Sequence, residues 1–366
     1  MKNILVINTV EYRLNGISNV IFNLYRETYS KFNYSFVYHN FIDQKFLAQF
    51  ATNNTLFKIS DRKRKTLKYI IQLKRIIENK NYDIIHIHGN SSTMLIEVTA
   101  AKLANYKGKI IVHTHNTASK KKIFKNYLNK FLIKSSAVLL ACGKKAGEGL
   151  YGDNDYKIIS NGIKVDDFTY NFDDRKKFRD EINITNELLI GNIGRMNDQK
   201  NQEFLLELVS NFPKNNKVKL VLIGDGPDEE RLKKRVEGLN IDNNVIFLKP
   251  KKNVSYIYSG LDVLVMPSKY EGIPLVTIEA QANGLPIIIS DRVDRAINIT
   301  NLITFLSIDK NPEIFNLWMK QIELYGKVDR TENNFIELLR ESGFDIKESG
   351  KKIEIIYDEC INEVRL

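Results

Sequence analysis

Two glutamates, Glu271 and Glu279, lie eight positions apart in the segment EGIPLVTIEAQANGLP (271–286), with a Gly-Ile-Pro turn between them. The apolar run LDVLVMP (261–267) just before it reads as a buried parallel strand. Pro274 is a good first helical residue, and 275–283 reads as a helix stopped by Gly284 and Pro286. PIII (286–289) then reads as the next strand. In a strand–loop–helix unit, ligands bind beyond the carboxyl end of the strand, where Glu271 falls, and Glu279 falls about one turn into the helix on the same side. The helix N-terminus supplies unpaired backbone N–H groups and the positive end of a dipole, which suit a phosphate. One carboxylate for a sugar, one for a ribose and amides for a diphosphate compose a site for a nucleotide sugar.

A second block agrees with the first. LLIGNIGRMNDQKN (188–201) reads as a strand, a glycine-permitted loop and a helix beginning near Asn201, with Asp198 or Asn201 as its cap. Arg195 and Lys200 flank that loop. Arginine presents a planar fork and lysine a point charge, and such a pair can hold a diphosphate without a metal. As isolated residues they read equally as surface cations of a basic protein. KLVLIGDGP (219–227) follows as a strand and a glycine turn.

These blocks together resemble the donor site of the family 4 glycosyltransferases, retaining enzymes of the two-domain GT-B fold. Their E-x7-E, G-R-x4-K-N and G-x-G-P motifs match 271–279, 194–201 and 224–227. The resemblance implies an α/β fold of two Rossmann-like domains, with parallel sheets facing a central cleft. It implies transfer from a nucleoside diphosphate sugar, UDP-linked, with retention at the anomeric carbon. Glu271 would hold the donor sugar, with Gly272, Ile273, Pro274 and Leu275 beside it, and Glu279 the ribose. Arg195 and Lys200 would take the diphosphate, so neither a metal nor another cofactor is expected. Gly16 matches the family's N-terminal glycine loop in part, with one glycine where two are usual; the same residues read as a simple turn before a helix capped by Ser18.

Four of the five histidines fall in two H-x-H pairs at strand ends, His86 and His88 in DIIHIHGN and His113 and His115 in KIIVHTHNT. Residues i and i+2 of a strand face the same way, so each pair could hold a metal or be satisfied by hydrogen bonds. No neighbouring carboxylate or cysteine completes a metal site. The segments are similar to those of the capsule and exopolysaccharide branch of family 4, where a histidine of the second segment lies beside the donor sugar. That similarity assigns the role to His115, with His113 as the alternative. A UDP-sugar 2-epimerase of similar fold and a non-catalytic sugar-nucleotide-binding subunit are the rival functions; retention of Arg195, Lys200, Glu271 and Glu279 argues against the latter.

The positioning elements are legible as a βα alternation. Apolar runs at 3–8, 34–38, 83–88, 109–114, 136–142, 157–159, 188–193, 218–223, 245–248, 261–266 and 286–290 alternate with amphipathic segments. A chain of 366 residues is long enough for two cores. The polar stretch 161–183 matches the family's N-G-I-x4-F connector, which divides the chain into 1–165 (acceptor domain), 166–345 (donor domain) and a helix at 346–366 that would return to the first. The 291–345 segment carries no catalytic pattern and reads as sheet edge and helices. No apolar run is long enough to span a membrane, the N-terminal apolar run is too short for a signal peptide, and Cys142 and Cys360 have no ligand or disulfide spacing. These features fit a reducing cytoplasm.

The net charge of +11 is unevenly spread. Residues 119–134 hold six lysines and no acid with apolar residues at helical spacing, and 61–80 hold eight basic residues against two acids. A basic amphipathic helix reads either as a solvated domain face or as a binder of anionic membrane. No nucleic-acid motif accompanies the charge. The expected partners are therefore a UDP-sugar, a polyprenyl-diphosphate-linked or other saccharide acceptor and the inner membrane surface, with the protein peripheral on its cytoplasmic face.

Overall fold

The computed structural model describes the chain apart from residues 14–15, 52–54, 116–122, 136–137, 214–215, 252–253, 327, 329, 331–333 and 366. It forms two compact units, Met1–Ile163 with Gly343–Leu366, and Lys164–Ser342.

The first unit is built on strands β1 (Lys2–Asn8), β2 (Phe32–His39), β3 (Thr55–Ile59), β4 (Ile84–Gly89), β5 (Lys109–Thr114), β6 (Val138–Ala141) and β7 (Lys157–Ile158). All pair in parallel in the order β3-β2-β1-β4-β5-β6-β7. The helices between them are α1 (Gly16–Thr28), α2 (Gln44–Ala51), α3 (Thr66–Glu78), α4 (Leu95–Leu103), α5 (Ile123–Lys134) and α6 (Lys144–Tyr151). Central strands such as β4 are buried at every position, because both faces are covered. Ile85, Ile87 and Val112 pack with α3, α4, α5 and α6 on one side. Ile84 and Ile111 pack with Ile21 and Tyr25 of α1 on the other.

The second unit contains β8 (Leu188–Ile193), β9 (Val218–Ile223), β10 (Val245–Leu248), β11 (Val263–Met266), β12 (Ile287–Ser290) and β13 (Ile303–Leu306), parallel in the order β10-β9-β8-β11-β12-β13. Helices α7 (Phe172–Glu181), α8 (Gln202–Ser210), α9 (Glu229–Leu239), α10 (Ser255–Gly260), α11 (Leu275–Ala282), α12 (Pro312–Tyr325) and α13 (Phe335–Glu341) surround it. Phe204, Leu232 and Trp318 bring α8, α9 and α12 to one face, and Phe178, Tyr258 and Ala280 bring α7, α10 and α11 to the other. The last helix, α14 (Ile346–Arg365), belongs to the first unit, where Ile353, Ile356, Tyr357 and Ile361 join the core beside α1.

Several expectations shift. β3 was not among the anticipated strands; it is an edge strand with one fully buried residue in five, too half-exposed to show a core pattern. Gly16 opens α1 instead of preceding it, and Ser18 is a buried helical residue, not a cap. Pro274 has an extended backbone just outside α11 and is not its first helical residue. Neither Asp198 nor Asn201 caps α8 by its side chain: Asn201 occupies the cap position in a left-handed conformation, φ 56°.

The G-x-G-P turn has a steric reason. Gly224 has φ +154°, and a Cβ there would lie 2.0 Å from the Gly194 carbonyl oxygen; one on Gly226 would lie 2.1 Å from that of Met196. The loops after β8 and β9 thus meet backbone to backbone, sealed by Met196 N–H to Asp225 O at 2.7 Å. Gly224→Ala is expected to cost the second unit about 2–4 kcal/mol. Gly238→Ala, in α9 with nothing within 4 Å of the new methyl, should instead add about 0.5–1 kcal/mol. Urea unfolding of both variants measures the contrast, and equal effects would refute it.

Candidate functional site

In a parallel sheet, ligands gather at the carboxyl edge where the strand order reverses. In the second unit that point lies between β8 and β11. The loop leaving β8 carries Arg195 and Lys200, and the loop leaving β11 carries Glu271. Four hydrogen bonds tie the loops together: Asn201 Nδ2 to Pro267 O at 3.1 Å, Gln199 Nε2 to Tyr270 O at 2.9 Å, Lys269 N to Gln199 O at 2.8 Å and Lys269 Nζ to Asp198 Oδ1 at 2.5 Å. The Asn201 side chain is thus spent on the β11 loop, which explains why it does not cap α8. Gln202, buried, donates to Asn192 Oδ1 and to the Arg195 carbonyl and so fixes the backbone behind the Arg195 side chain.

Lys200 Nζ lies 2.6 Å from Glu271 Oε1, with both side chains mostly buried. The contact is one of charge, since Glu271 Oε1 has no aligned hydrogen-bond donor. An ammonium and a carboxylate so placed can turn toward a ligand carrying both phosphate and hydroxyls. The Arg195 side chain is exposed, and among the described residues its guanidinium has no partner. Gly272, Ile273 and Pro274 lead from Glu271 into α11, whose first turn has no side-chain cap, leaving its leading amides to be met from outside.

Glu279 is the fifth residue of α11 and half-buried. Burial pushes its carboxyl up to about 7, against a downward pull from the Tyr258 hydroxyl, which donates to Oε2. Tyr258, on α10, is itself held by Arg330. That buried guanidinium donates to the carbonyls of Tyr258, Ser259 and Leu261 and to Asn283 Oδ1 at 2.8–3.1 Å. Burial, then the neighbouring Arg175, lower Arg330 to about 10, so it stays charged at neutral pH. One arginine therefore binds the end of α10 to the end of α11, the helices carrying Tyr258 and Glu279. Tyr258, Arg330 and Gln202 were not anticipated: Tyr258 and Arg330 act through partners distant in sequence, and Gln202, next to the K-N pair, acts from a buried position that no motif marks.

A second pocket at this edge is lined by Asp198, Asn201, Glu203, Arg231, Lys269, Arg292, Ile308 and Lys310. Its four cations are already paired, with Asp198, Glu203, Asp309 and Glu207, so it offers no spare charge.

The first unit reverses its strand order between β1 and β4. Gly16 lies on the β1 side; residues 14–15 just before it are outside the described residues. His86, His88, His113 and His115 are all buried beneath α1 and α14. Nitrogens of His86, His88 and His113 come within 4.8 Å of one another. Their rings, however, are stacked or tilted at centroid spacings of 4.1–5.5 Å, so the lone pairs do not converge on one point. Neutral imidazoles are ordinary metal ligands, so it is the placement of the rings, not their lack of charge, that keeps the cluster as it stands from presenting a converged ligand set. Burial lowers all four: His115 to about 4, the others well below the usual range, where neighbouring histidines add to the effect. They are neutral imidazoles at physiological pH. His115 uses both ring nitrogens, Nδ1 with Asn161 Oδ1 at 2.8 Å and Nε2 with His88 Nδ1 at 2.7 Å.

Known proteins share this architecture. The N-terminal residues 14–167 match the family model described as Glycosyltransferase Family 4, and residues 174–313 match that of Glycosyl transferases group 1. A glycosyltransferase named EpsF from Bacillus subtilis is 29% identical over 94% of this chain and 93% of its own length. A UDP-Gal:alpha-D-GlcNAc-diphosphoundecaprenol alpha-1,3-galactosyltransferase of Escherichia coli is 30% identical over 62% of each chain. The Anabaena protein HepE, solved with UDP-glucose, superposes with a TM-score of 0.77 over 98% of this chain and all of its own at 15% identity, a likeness of fold. Two parallel-sheet Rossmann-like units are the GT-B fold of these solved neighbours, and the family models and the named relatives make the chain a glycosyltransferase. The chain belongs to the family 4 glycosyltransferases, whose two models together match most of its length.

The raised Glu279 gives a pH test. A carboxyl whose folded value lies near 7, above the unfolded 4.5, contributes stability that is present below the unfolded value and lost as pH rises through 7. Glu279→Gln cannot ionise, and its amide oxygen can still accept from Tyr258. Relative to wild type, the variant should therefore gain on the order of 1–3 kcal/mol between pH 5 and pH 8. Denaturant midpoints at the two pH values decide it; a constant difference means Glu279 titrates normally.

Proposed function

We propose that this chain is a retaining glycosyltransferase that moves a sugar from a UDP-sugar to a lipid-linked saccharide acceptor in surface polysaccharide synthesis. The observation that carries the reading is the meeting of Lys200 with Glu271 at the strand-order reversal of the second unit. Arg195, Lys200 and the uncapped amides of α11 take the diphosphate charge, a task that a metal performs elsewhere. Glu271 holds hydroxyls of the donor sugar beside Gly272, Ile273, Pro274 and Leu275, and Glu279 holds the ribose. In the first unit the proposed catalytic residue is His115, acting as a fixed neutral ring, and Gly16 is a further proposed donor contact. The UDP-glucose in the HepE structure supports the donor class. The acceptor named for the Escherichia coli relative, a saccharide on diphosphoundecaprenol, supports a lipid-linked one.

Arg195→Ala and Lys200→Ala should each lower kcat/KM by one to two decades, the equivalent of about 1.5–3 kcal/mol for a charge-assisted hydrogen bond. Glu279→Ala should weaken UDP binding, whereas Glu271→Ala should slow transfer more than it weakens UDP. The assay supplies UDP-sugars with a polyprenyl-diphosphate saccharide and reads the anomeric configuration of the product by NMR. Turnover should persist in EDTA. Inversion, conversion of UDP-sugar without acceptor, or loss in EDTA restored by Mg²⁺ would each overturn the corresponding part.

The acceptor places the enzyme at the cytoplasmic face of a membrane, and among the described residues no helix is long and apolar enough to cross one. Of the basic stretch 119–134, Lys120, Lys121 and Lys122 lie outside the described residues, as does the side chain of Lys125. A neighbouring surface carries the same chemistry. Leu67 and Ile71, one turn apart on α3, are 78% and 51% exposed, and Phe131 on α5 is 46% exposed. Lys63, Arg64, Lys65, Lys68, Arg75, Lys130 and Lys134 are exposed around them. Helices α3, α4 and α5 pack on one core cluster and so form one layer. Apolar side chains set among cations fit an anionic bilayer, each cation contributing about 1 kcal/mol near the surface. Replacing Leu67, Lys68 and Ile71 together by Ser should reduce sedimentation with phosphatidylglycerol vesicles while leaving UDP affinity unchanged. A variant that still sediments like wild type makes this layer a solvated face.

A further inference from the structure

Asn161, the first residue of the N-G-I connector, has so far no task in the reaction. Its Oδ1 lies 2.8 Å from His115 Nδ1 and begins a chain of buried hydrogen bonds. His115 Nε2 meets His88 Nδ1 at 2.7 Å, and His88 Nε2 meets the Tyr25 hydroxyl at 2.6 Å. Tyr25 meets His86 Nδ1 at 3.1 Å, and His86 Nδ1 meets the Tyr357 hydroxyl at 2.7 Å. The chain thus crosses from the connector, through β5 and β4, to α1 and α14.

We propose that Asn161, His88 and Tyr25 are positioning residues that hold His115 in one rotamer and one tautomer, Nδ1–H toward Asn161 and the Nε2 lone pair toward His88. The assignment rests on the reading of His115 as the catalytic residue of the first unit.

An amide oxygen can only accept, so His115 must donate from Nδ1. A neutral imidazole has one N–H, so Nε2 then accepts from His88 Nδ1–H, and His88 Nε2 accepts the Tyr25 hydroxyl. From Tyr25 to Asn161 every donor then faces an acceptor, the three bonds pointing the same way, and bonds so aligned polarise and strengthen one another. The pattern requires both histidines to be neutral, and burial lowers both. It also keeps His115 from serving as a proton carrier, because neither ring nitrogen is left over. The titratable groups facing His115 among the described residues are His88 and His113, with His86 from β4, Tyr25 from α1 and Tyr357 from α14 behind them. The histidines are lowered and the tyrosines raised, all chiefly by burial, so none is charged at neutral pH.

The test is Asn161→Asp, read by imidazole ¹⁵N NMR of the full chain and by the pH profile of transfer. A carboxylate against Nδ1 favours imidazolium and should raise the His115 pKa by roughly 1–3 units from about 4. The acid limb of kcat should move with it, with KM for the donor little changed. Tyr25→Phe removes only a hydroxyl at the far end; His88 Nε2 then loses its donor, so the single His88 tautomer should become two, the His88–His115 bond should loosen and kcat should fall roughly tenfold. It decides the matter if Asn161→Asp does not fold. An unmoved His115 titration in Asn161→Asp, or an unchanged single His88 tautomer in Tyr25→Phe, overturns the hydrogen-bond chain. A titration that moves without the kcat profile overturns the catalytic reading of His115, and with it the positioning role, while leaving the chain itself in place.

Discussion

A parallel sheet covered on both faces has one place to put chemistry, the edge where its strands end. In the second unit the strand order turns around between β8 and β11, so the loops leaving those strands are carried apart by their helices and leave a crevice. The donor motifs, 80 residues apart in places, become neighbours only because of this reversal. The approach must be close: the β8 and β9 loops meet backbone to backbone at Gly224 and Gly226, and Asn201 and Gln199 stitch the β8 loop to the β11 loop. The Lys200–Glu271 contact rests on this stitching.

The alternation of apolar runs made the α/β class legible, because strands buried on both faces carry few polar positions to blur the pattern. Strands β8, β9 and β10 begin and end where the apolar runs 188–193, 218–223 and 245–248 do. The half-exposed edge strand β3 left no such mark. Residues of the candidate site that sit in motifs could be named from their spacing; those that support them could not. Tyr258 lies 21 positions before Glu279, and Arg330 lies 47 after Asn283. Their partnerships arise from helices crossing in space, which no local periodicity encodes. The histidines were ambiguous for a related reason: strand geometry shows that they share a face, but only the tyrosines of α1 and α14 decide how their nitrogens are used.

Buried polar groups are handled in two ways, and the first unit uses both, since it keeps the buried Arg62–Glu97 ion pair as well as its neutral histidines. In the first, four imidazoles lose their charge, and five of the six nitrogens of His86, His88 and His115 meet one another, a tyrosine or Asn161, a neutral solution that suits a low-dielectric core. In the second, ions are kept and paired or capped: Arg330 on carbonyls, Asp262 between Arg175 and Arg179, Lys200 on Glu271. Glu279 lies between these regimes, and the single hydroxyl of Tyr258 is what moderates it.

The first unit is interrupted in sequence, and this orders its assembly. Its core beneath α1 includes Ile353, Ile356, Tyr357 and Ile361 of α14, which follow the whole of the second unit. On a ribosome the second unit, continuous from Lys164 to Ser342, can close as it emerges, whereas the first waits with one flank of its sheet uncovered. On that face Ile84 of β4, Ile111 of β5 and the neighbouring histidines lack part of their cover until α14 arrives. A chain stalled or clipped before residue 346 would therefore present a finished second unit and an adhesive, incomplete first one, and quality control would meet that fragment first through its partly bare sheet.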